Sequence, residues 1–186
     1  MKYVYHASKI QGLKVLEPRV SSHEKAWVYA MEKPEHCSLF LGNCNDLINQ
    51  IGPLRNGVPY IVERFKDSLL FAYKDKNGSI YTLDAANFKK GMTSFDLELV
   101  SENPCEVIKE DKIQDSLDNI LKLESEGKLT IYRYPEVPDF YPNDKSDLVK
   151  KAVRSVKKYG ELRLEFIKKY HPDIVERVLK GLESKE

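Results

Sequence analysis

Most of the features that advertise a function are scarce in this chain. It has three cysteines in 186 residues, Cys37, Cys44 and Cys105, an odd number with no Cys-x-x-Cys pair. That spacing speaks against a zinc module; His23, His36, Cys37 and Cys44 are the nearest approach to a ligand set, and no metal is expected. The first residues, Met1 to His6, carry one cation and no long apolar stretch, so a secretory signal is not expected. Unpaired thiols without a signal point to a reducing, cytoplasmic setting. No apolar run approaches the ~20 residues a spanning helix needs, so no membrane is expected as partner. Neither sign of charge dominates: 30 Lys and Arg against 29 Asp and Glu leave +1. No global field therefore draws in nucleic acid or anionic lipid. There is no internal repeat. Gly52 to Gly57 lacks the Lys-Ser/Thr that completes a phosphate loop.

What is present suits a soluble α+β protein. An apolar content of 41% beside 32% charged residues supports one sizeable core. Residues 2–6 read as a strand, and so does Ala26-Trp27-Val28-Tyr29-Ala30. Pro34 fits the first turn of a helix with Cys37, Leu39, Phe40 and Leu41 on its apolar face and Gly42 as its stop. Residues 43–59 hold Gly and Pro in loop density. Residues 60–65, 69–73, 79–83, 95–100 and 129–134 read as strands. Asn77-Gly78 between two of them predicts a hairpin turn. Ile113, Leu117, Ile120, Leu121 and Glu124 follow helical spacing within 111–127, with Gly127 as the cap. Three prolines, Pro135, Pro138 and Pro142, form a stiff connector, and residues beyond it read as helices. One stripe is Leu148, Ala152, Val156 and Tyr159. A second holds Leu162, Leu164, Phe166, Ile167 and Tyr170; Pro172 restarts a third with Ile174, Val175, Val178 and Leu182. The expected division is an α+β domain over 1–135 and a connector with C-terminal helices over 136–186. Residues 145–186 carry 12 Lys/Arg and 7 Asp/Glu, a surplus of 12 − 7 = +5, which in the first instance is a solvated helix face.

Three segments bear residues suited to chemistry. In Tyr5-His6-Ala7-Ser8 an imidazole at a strand end precedes two small residues, so a ligand can approach the backbone. The ring can donate to a sugar hydroxyl while the Ala7 backbone meets an amide. Tyr29 ends a strand and Phe40 follows eleven residues later; two rings so placed can sandwich a planar group. In Phe95-Asp96-Leu97-Glu98-Leu99-Val100, alternation puts Glu98 on the face opposite Leu97 and Leu99. A carboxylate there can bond a sugar hydroxyl and stabilise an oxocarbenium ion.

Taken in order, these segments resemble ADP-ribosyltransferases of the diphtheria-toxin and poly(ADP-ribose) polymerase type, which are common in bacteria. Tyr5-His6-Ala7-Ser8 is similar to their Tyr-His-Gly-Thr segment. Val28-Tyr29-Ala30-Met31 with Phe40 is similar to their second segment, and Glu98-Leu99-Val100 with Val107 to the last. The resemblance covers roughly residues 3–108. It implies a split mixed β-sheet core with few helices, plus a helical C-terminal extension. It implies NAD as substrate, bound by His6, Ala7, Ser8, Tyr29 and Phe40, with Glu98 as the catalytic residue. The activity implied is ADP-ribosyl transfer to an acceptor (protein, nucleic acid or small molecule) or NAD glycohydrolysis. The chain departs from the pattern at Ala7, where Gly is usual, at Met31, where Ser or Thr is usual, and at Asp96, where arginine-modifying members have Gln or Glu.

Three alternatives stand beside this expectation. One is a pocket that binds NAD, ADP-ribose or a nucleotide without chemistry. Another is an RNA 2′-phosphotransferase-like activity using His23, with Arg19 and Arg55 for a phosphate. The last is an interaction protein working through its C-terminal helices.

Overall fold

The computed structural model describes residues 1–20, 25–43, 45–53, 56–93 and 95–184. His23, Cys44 and Arg55 lie outside the described residues. The elements are β1 (Tyr3–Ser8), β2 (Val15–Leu16), β3 (Arg19–Val20), β4 (Ala26–Met31), α1 (Pro34–Ser38), β5 (Asn49–Pro53), β6 (Pro59–Glu63), α2 (Ser68–Tyr73), β7 (Gly78–Asp84), β8 (Lys89–Lys90), β9 (Glu98–Ser101), β10 (Cys105–Ile113), α3 (Ser116–Ser125), β11 (Thr130–Tyr132), α4 (Ser146–Tyr159), α5 (Glu161–Tyr170) and α6 (Val175–Glu183). Short 3-10 turns extend α1 over Leu39–Leu41 and precede α6 over Pro172–Ile174.

The fold is α+β, built on two sheets. The larger runs β2-β10-β7-β1-β4-β9-β8, with β3 alongside β4, and its pairings are antiparallel. The smaller runs β11-β6-β5, parallel at β11–β6 and antiparallel at β5–β6. Alternation along the strands divides the larger sheet's side chains between two cores. Val4, Val28, Ala30, Leu83 and Leu99 pack together on one face. Met31, Cys37, Leu41 and Ile80 pack on the other, with Tyr5, Ala7, Phe40, Phe95 and Leu97 against them. The smaller sheet, α2 and α3 enclose a third core that includes Ile61, Phe65, Tyr73, Ile120 and Ile131.

Several sequence expectations are corrected. Residues 69–73 form α2 rather than a strand. The start of α2 is satisfied from a distance: Leu69 donates its N–H to the Glu63 carboxylate at 2.7 Å. No local cap in the sequence announces that contact. Asn77-Gly78 is not a hairpin turn, because β7 begins at Gly78 and its neighbours in the sheet are β1 and β10. Gly78 answers to crowding: a Cβ there would stand 2.5 Å from the Ser8 carbonyl oxygen and 2.8 Å from Leu41. The strand expected over 95–100 starts only at Glu98, after a turn in which Glu98 donates to the Phe95 carbonyl at 2.9 Å. Leu97 and Leu99 consequently enter opposite cores. The helix expected over 111–127 starts at Ser116, since β10 continues to Ile113. Asp115 caps it, accepting from Leu117 and Asp118 at 2.8 and 3.0 Å. Strand β5 lies in the stretch expected to be loop.

The C-terminal helices pack onto the rest of the chain. Leu47 joins Leu148, Ala152, Val156, Ile167, Ile174 and Val178 in one core. Phe65 meets the rings of Phe166, Tyr170 and His171. Two expected apolar-stripe residues are exposed instead, Tyr159 at 56% and Leu162 at 84%.

Candidate functional site

The larger sheet is weakest at its middle. Between β1 and β4 the ladder is one pair, Tyr5 opposite Met31. On its other side β1 is paired with β7 along its whole length, Tyr3 to Ser8. Above α1, the Cys37 thiol donates to the Tyr5 carbonyl at 2.9 Å. Past the single pair, the strands are joined through a side chain: His6 Nδ1 donates to the Tyr29 carbonyl at 2.7 Å.

That bond fixes the imidazole's chemistry. A carbonyl can only accept, so Nδ1 carries the proton. Burial pushes the His6 pKa below its ordinary value; the carbonyl bond opposes this, and the Arg19 cation adds to it. The neutral ring therefore presents Nε2 as an acceptor. This differs from the expectation that it donates to a sugar hydroxyl.

A cavity of about 170 Å³ opens beside the ring. His6 and Ser8 line it from β1, Val28 and Tyr29 from β4, and Arg19 from β3. Leu13, Leu16 and Trp27 supply apolar wall. Ser8 Oγ accepts from the Ile10 N–H at 3.1 Å, which holds the hydroxyl in place. The cavity combines an acceptor nitrogen, a guanidinium and apolar surface. Its size is below the ~300–1,000 Å³ of most ligand pockets and suits one ring or one sugar.

The other expected site residues fall on a different face. Met31 stands opposite Tyr5 on one side and opposite Glu98 on the other, so Tyr5, Met31 and Glu98 share a face. His6, next to Tyr5, points to the opposite one. Tyr29 stands opposite Val100, two residues along from the Met31–Glu98 pair, which puts its ring on the Glu98 face. Glu98 is half-buried and does not line the cavity of His6. Ala7 and Phe40 pack into the core beneath Met31. Both expected stacking rings are already edge-on to a neighbour: Tyr29 to Trp27 and Phe40 to Phe95, each at 6.1 Å. His6, Ser8 and the Tyr29 carbonyl are thus brought together on one side. Ala7, Phe40 and Glu98 lie on the other.

Leu13, Leu16 and Trp27 are cavity residues that sequence reasoning missed. No motif marks them; Trp27 comes from β4, and Leu13 and Leu16 from the segment through β2, which pairs with β10 and not with β1 or β4. The Cys37–His36 neighbourhood carries no nucleophile, since burial pushes the Cys37 thiol far above its usual range. Among the described residues, no group of three His, Cys, Asp or Glu side chains is arranged to hold a metal ion. No helix is long and apolar enough to cross a membrane among the described residues. Compared with protein-family models, curated proteins and solved structures, the chain matches none.

Proposed function

We propose that the parting of β1 and β4 is a binding site for NAD, and that the chain transfers its ADP-ribosyl group to an acceptor or to water. The observation that carries this reading is the adjacency of β1, β4 and β9, with the imidazole of His6 bonded to the Tyr29 carbonyl and Glu98 two residue pairs from Tyr29 on the β4–β9 ladder. In this reading a ribose hydroxyl donates to His6 Nε2, and Arg19, at the cavity mouth, meets the pyrophosphate. The dinucleotide extends beyond the cavity, and for it to reach Glu98 on the opposite face the Tyr5–Met31 pair has to part. Glu98 then stabilises the oxocarbenium ion as the bond from ribose C1′ to the nicotinamide nitrogen breaks. The electron pair leaves with nicotinamide. The acceptor's lone pair forms the new bond at C1′, and its proton is lost to solvent.

The test is nicotinamide release from NAD by the wild-type protein and by Glu98→Gln, with and without cell lysate. The expected result is release that falls by two or more orders of magnitude in the variant, with an unchanged Tm. Equal release by both proteins would remove Glu98 from the reaction.

A second reading, a pocket that binds a nucleotide without chemistry, is favoured by the register that puts His6 and Glu98 on opposite faces. It predicts that NAD raises the Tm of wild type and of Glu98→Gln alike, with no nicotinamide released. Neither release nor a thermal shift would overturn both readings.

A further inference from the structure

A second opening lies away from the His6 cavity, between α4 and the chain entering β5. It is a groove of about 640 Å³ whose helical wall is Lys151, Arg154, Ser155, Lys158 and Tyr159. Asp46, Asn49 and Ile51 stand on the facing wall. The α4 sequence explains the arrangement. Leu148, Ala152 and Val156, four residues apart, are buried and lock the helix onto Leu47. Lys151, Arg154 and Lys158, spaced by three and four, then fall on one neighbouring face. At 1.5 Å per residue they form a row of cations about 10 Å long.

Two of the three cations in the row are not spent on ion pairs among the described residues. Lys151 is engaged, with Asp46 at 3.2 Å and with the Gln50 amide oxygen. Arg154 and Lys158 have no ion-pair partner among the described residues. Both are exposed, as are Lys150 and Lys157 on the same helix. At the end of the row Tyr159 is an exposed aromatic ring, with Lys158 and Arg163 lying over it at 5.2 and 5.5 Å. A stacking base would take the place of these long side chains over the ring, and their charge would then meet the adjoining phosphates.

We propose that this groove binds a single strand of nucleic acid, with Lys151, Arg154 and Lys158 on successive phosphates and Tyr159 stacked on a base. A cationic track with an exposed ring is the arrangement that serves an unpaired strand. A duplex keeps its bases away from Tyr159 and Ile51, whereas an unpaired strand carries a flat ring beside every phosphate. The near-neutral net charge of the chain does not oppose this, because α4 alone carries five Lys and Arg against one Asp. The proposal is independent of the function assigned to the His6 cavity.

The experiment is fluorescence anisotropy with the full chain and a labelled ten-residue oligouridylate, at 50 and 200 mM salt. Wild type is expected to bind saturably and to weaken steeply with salt. Arg154→Gln/Lys158→Gln should weaken binding at least tenfold and flatten the slope of log K against log salt by ~1.4, since each phosphate on a single strand contributes ~0.7. Tyr159→Ala should cost roughly a further tenfold. Lys122→Gln/Lys128→Gln, which removes equal charge outside the groove, should bind within twofold of wild type. All these side chains are exposed, and circular dichroism with the Tm checks that each variant folds. No saturable binding at 50 mM salt would overturn the proposal. So would equal loss in the control variant, tighter binding of a duplex, or stronger competition by polyglutamate than by unlabelled oligouridylate.

Discussion

The imidazole of His6 holds two strands together through its Nδ1 proton, and that makes it sensitive to acid. His36 and His171 are in a related position: each donates a ring N–H to a backbone carbonyl, of Gly57 at 3.2 Å and of Leu47 at 2.6 Å. For all three, burial is the largest influence and holds the pKa below the ordinary 6.5. The sign of the linkage follows. An unfolded histidine takes up its proton as pH falls through 6.5, while the folded one resists, so acid favours the unfolded chain. Stability should be level above pH 7.5 and decline below 6.5, read as a falling urea midpoint at pH 7.5, 6.5 and 5.5. A midpoint that rises with acid would contradict the neutral assignment. His6→Ala, which leaves the Tyr29 carbonyl without this donor, should cost about 1–3 kcal/mol in the same measurement at pH 7.5. His6 and Tyr29 were legible as strand residues from their local pattern. Their bond was not, because which carbonyl an imidazole finds depends on strand order, and β1 and β4 are separated by the whole β2–β3 excursion. The face of Leu97 was misplaced relative to Glu98 for a related reason. The alternation was counted from Phe95, but the strand starts three residues later.

Among the elements, those with a local cause were the readable ones. Pro34 opens α1, Gly127 follows α3 at a φ of 70°, and amphipathic spacing marks α4. Those with a remote cause were not. Ser68 to Tyr73 is a short apolar run, and what makes it a helix is the Glu63 carboxylate six residues upstream on β6. Gly78 looks like a turn residue and is a contact residue instead. Gly78→Ala should destabilise the protein by about 2–3 kcal/mol, because the clash is with the Ser8 backbone, which β1 holds rigid. An equilibrium urea curve measures it. A loss of only a few tenths would mean that β1 and β7 can separate to admit a methyl group. Asp115→Ala removes the α3 cap and also the Asp75 N–H contact at 3.0 Å that ties the α2–β7 turn. The expected cost is about 1–2 kcal/mol by the same method.

At the scale of the whole molecule, the composition shift at Pro135 gave no hint of how much the two parts share. Arg64 pairs with Asp147 at 2.9 Å, with side chains 6% and 18% exposed. His171 reaches back to Leu47, and Phe65 lies among rings of α5. The helical periodicity was plain in the sequence; the surface each stripe covers was not, since any apolar face satisfies the pattern. Asp147→Ala should cost about 3 kcal/mol by leaving the Arg64 charge unpaired in a mostly dry site. Deleting residues 143–186 should abolish cooperative unfolding, because Leu47 and Phe65 lose their cover. A sharp melting transition in the truncated chain would show the opposite, a core sufficient without these helices.

The one-pair ladder between β1 and β4 has a consequence for what can enter the sheet. Proteins that accept a foreign peptide by strand addition do so at an outer rim, where a full row of backbone groups faces solvent. Here the vacancy is an interior slot. Its far end is closed by the Tyr5–Met31 pair, and its bonding groups are partly taken by an imidazole. An extended chain finds no length to run along. A compact visitor, one ring or one sugar in size, meets donors and acceptors on both sides of it. The sheet thus selects by shape before any side chain selects by chemistry.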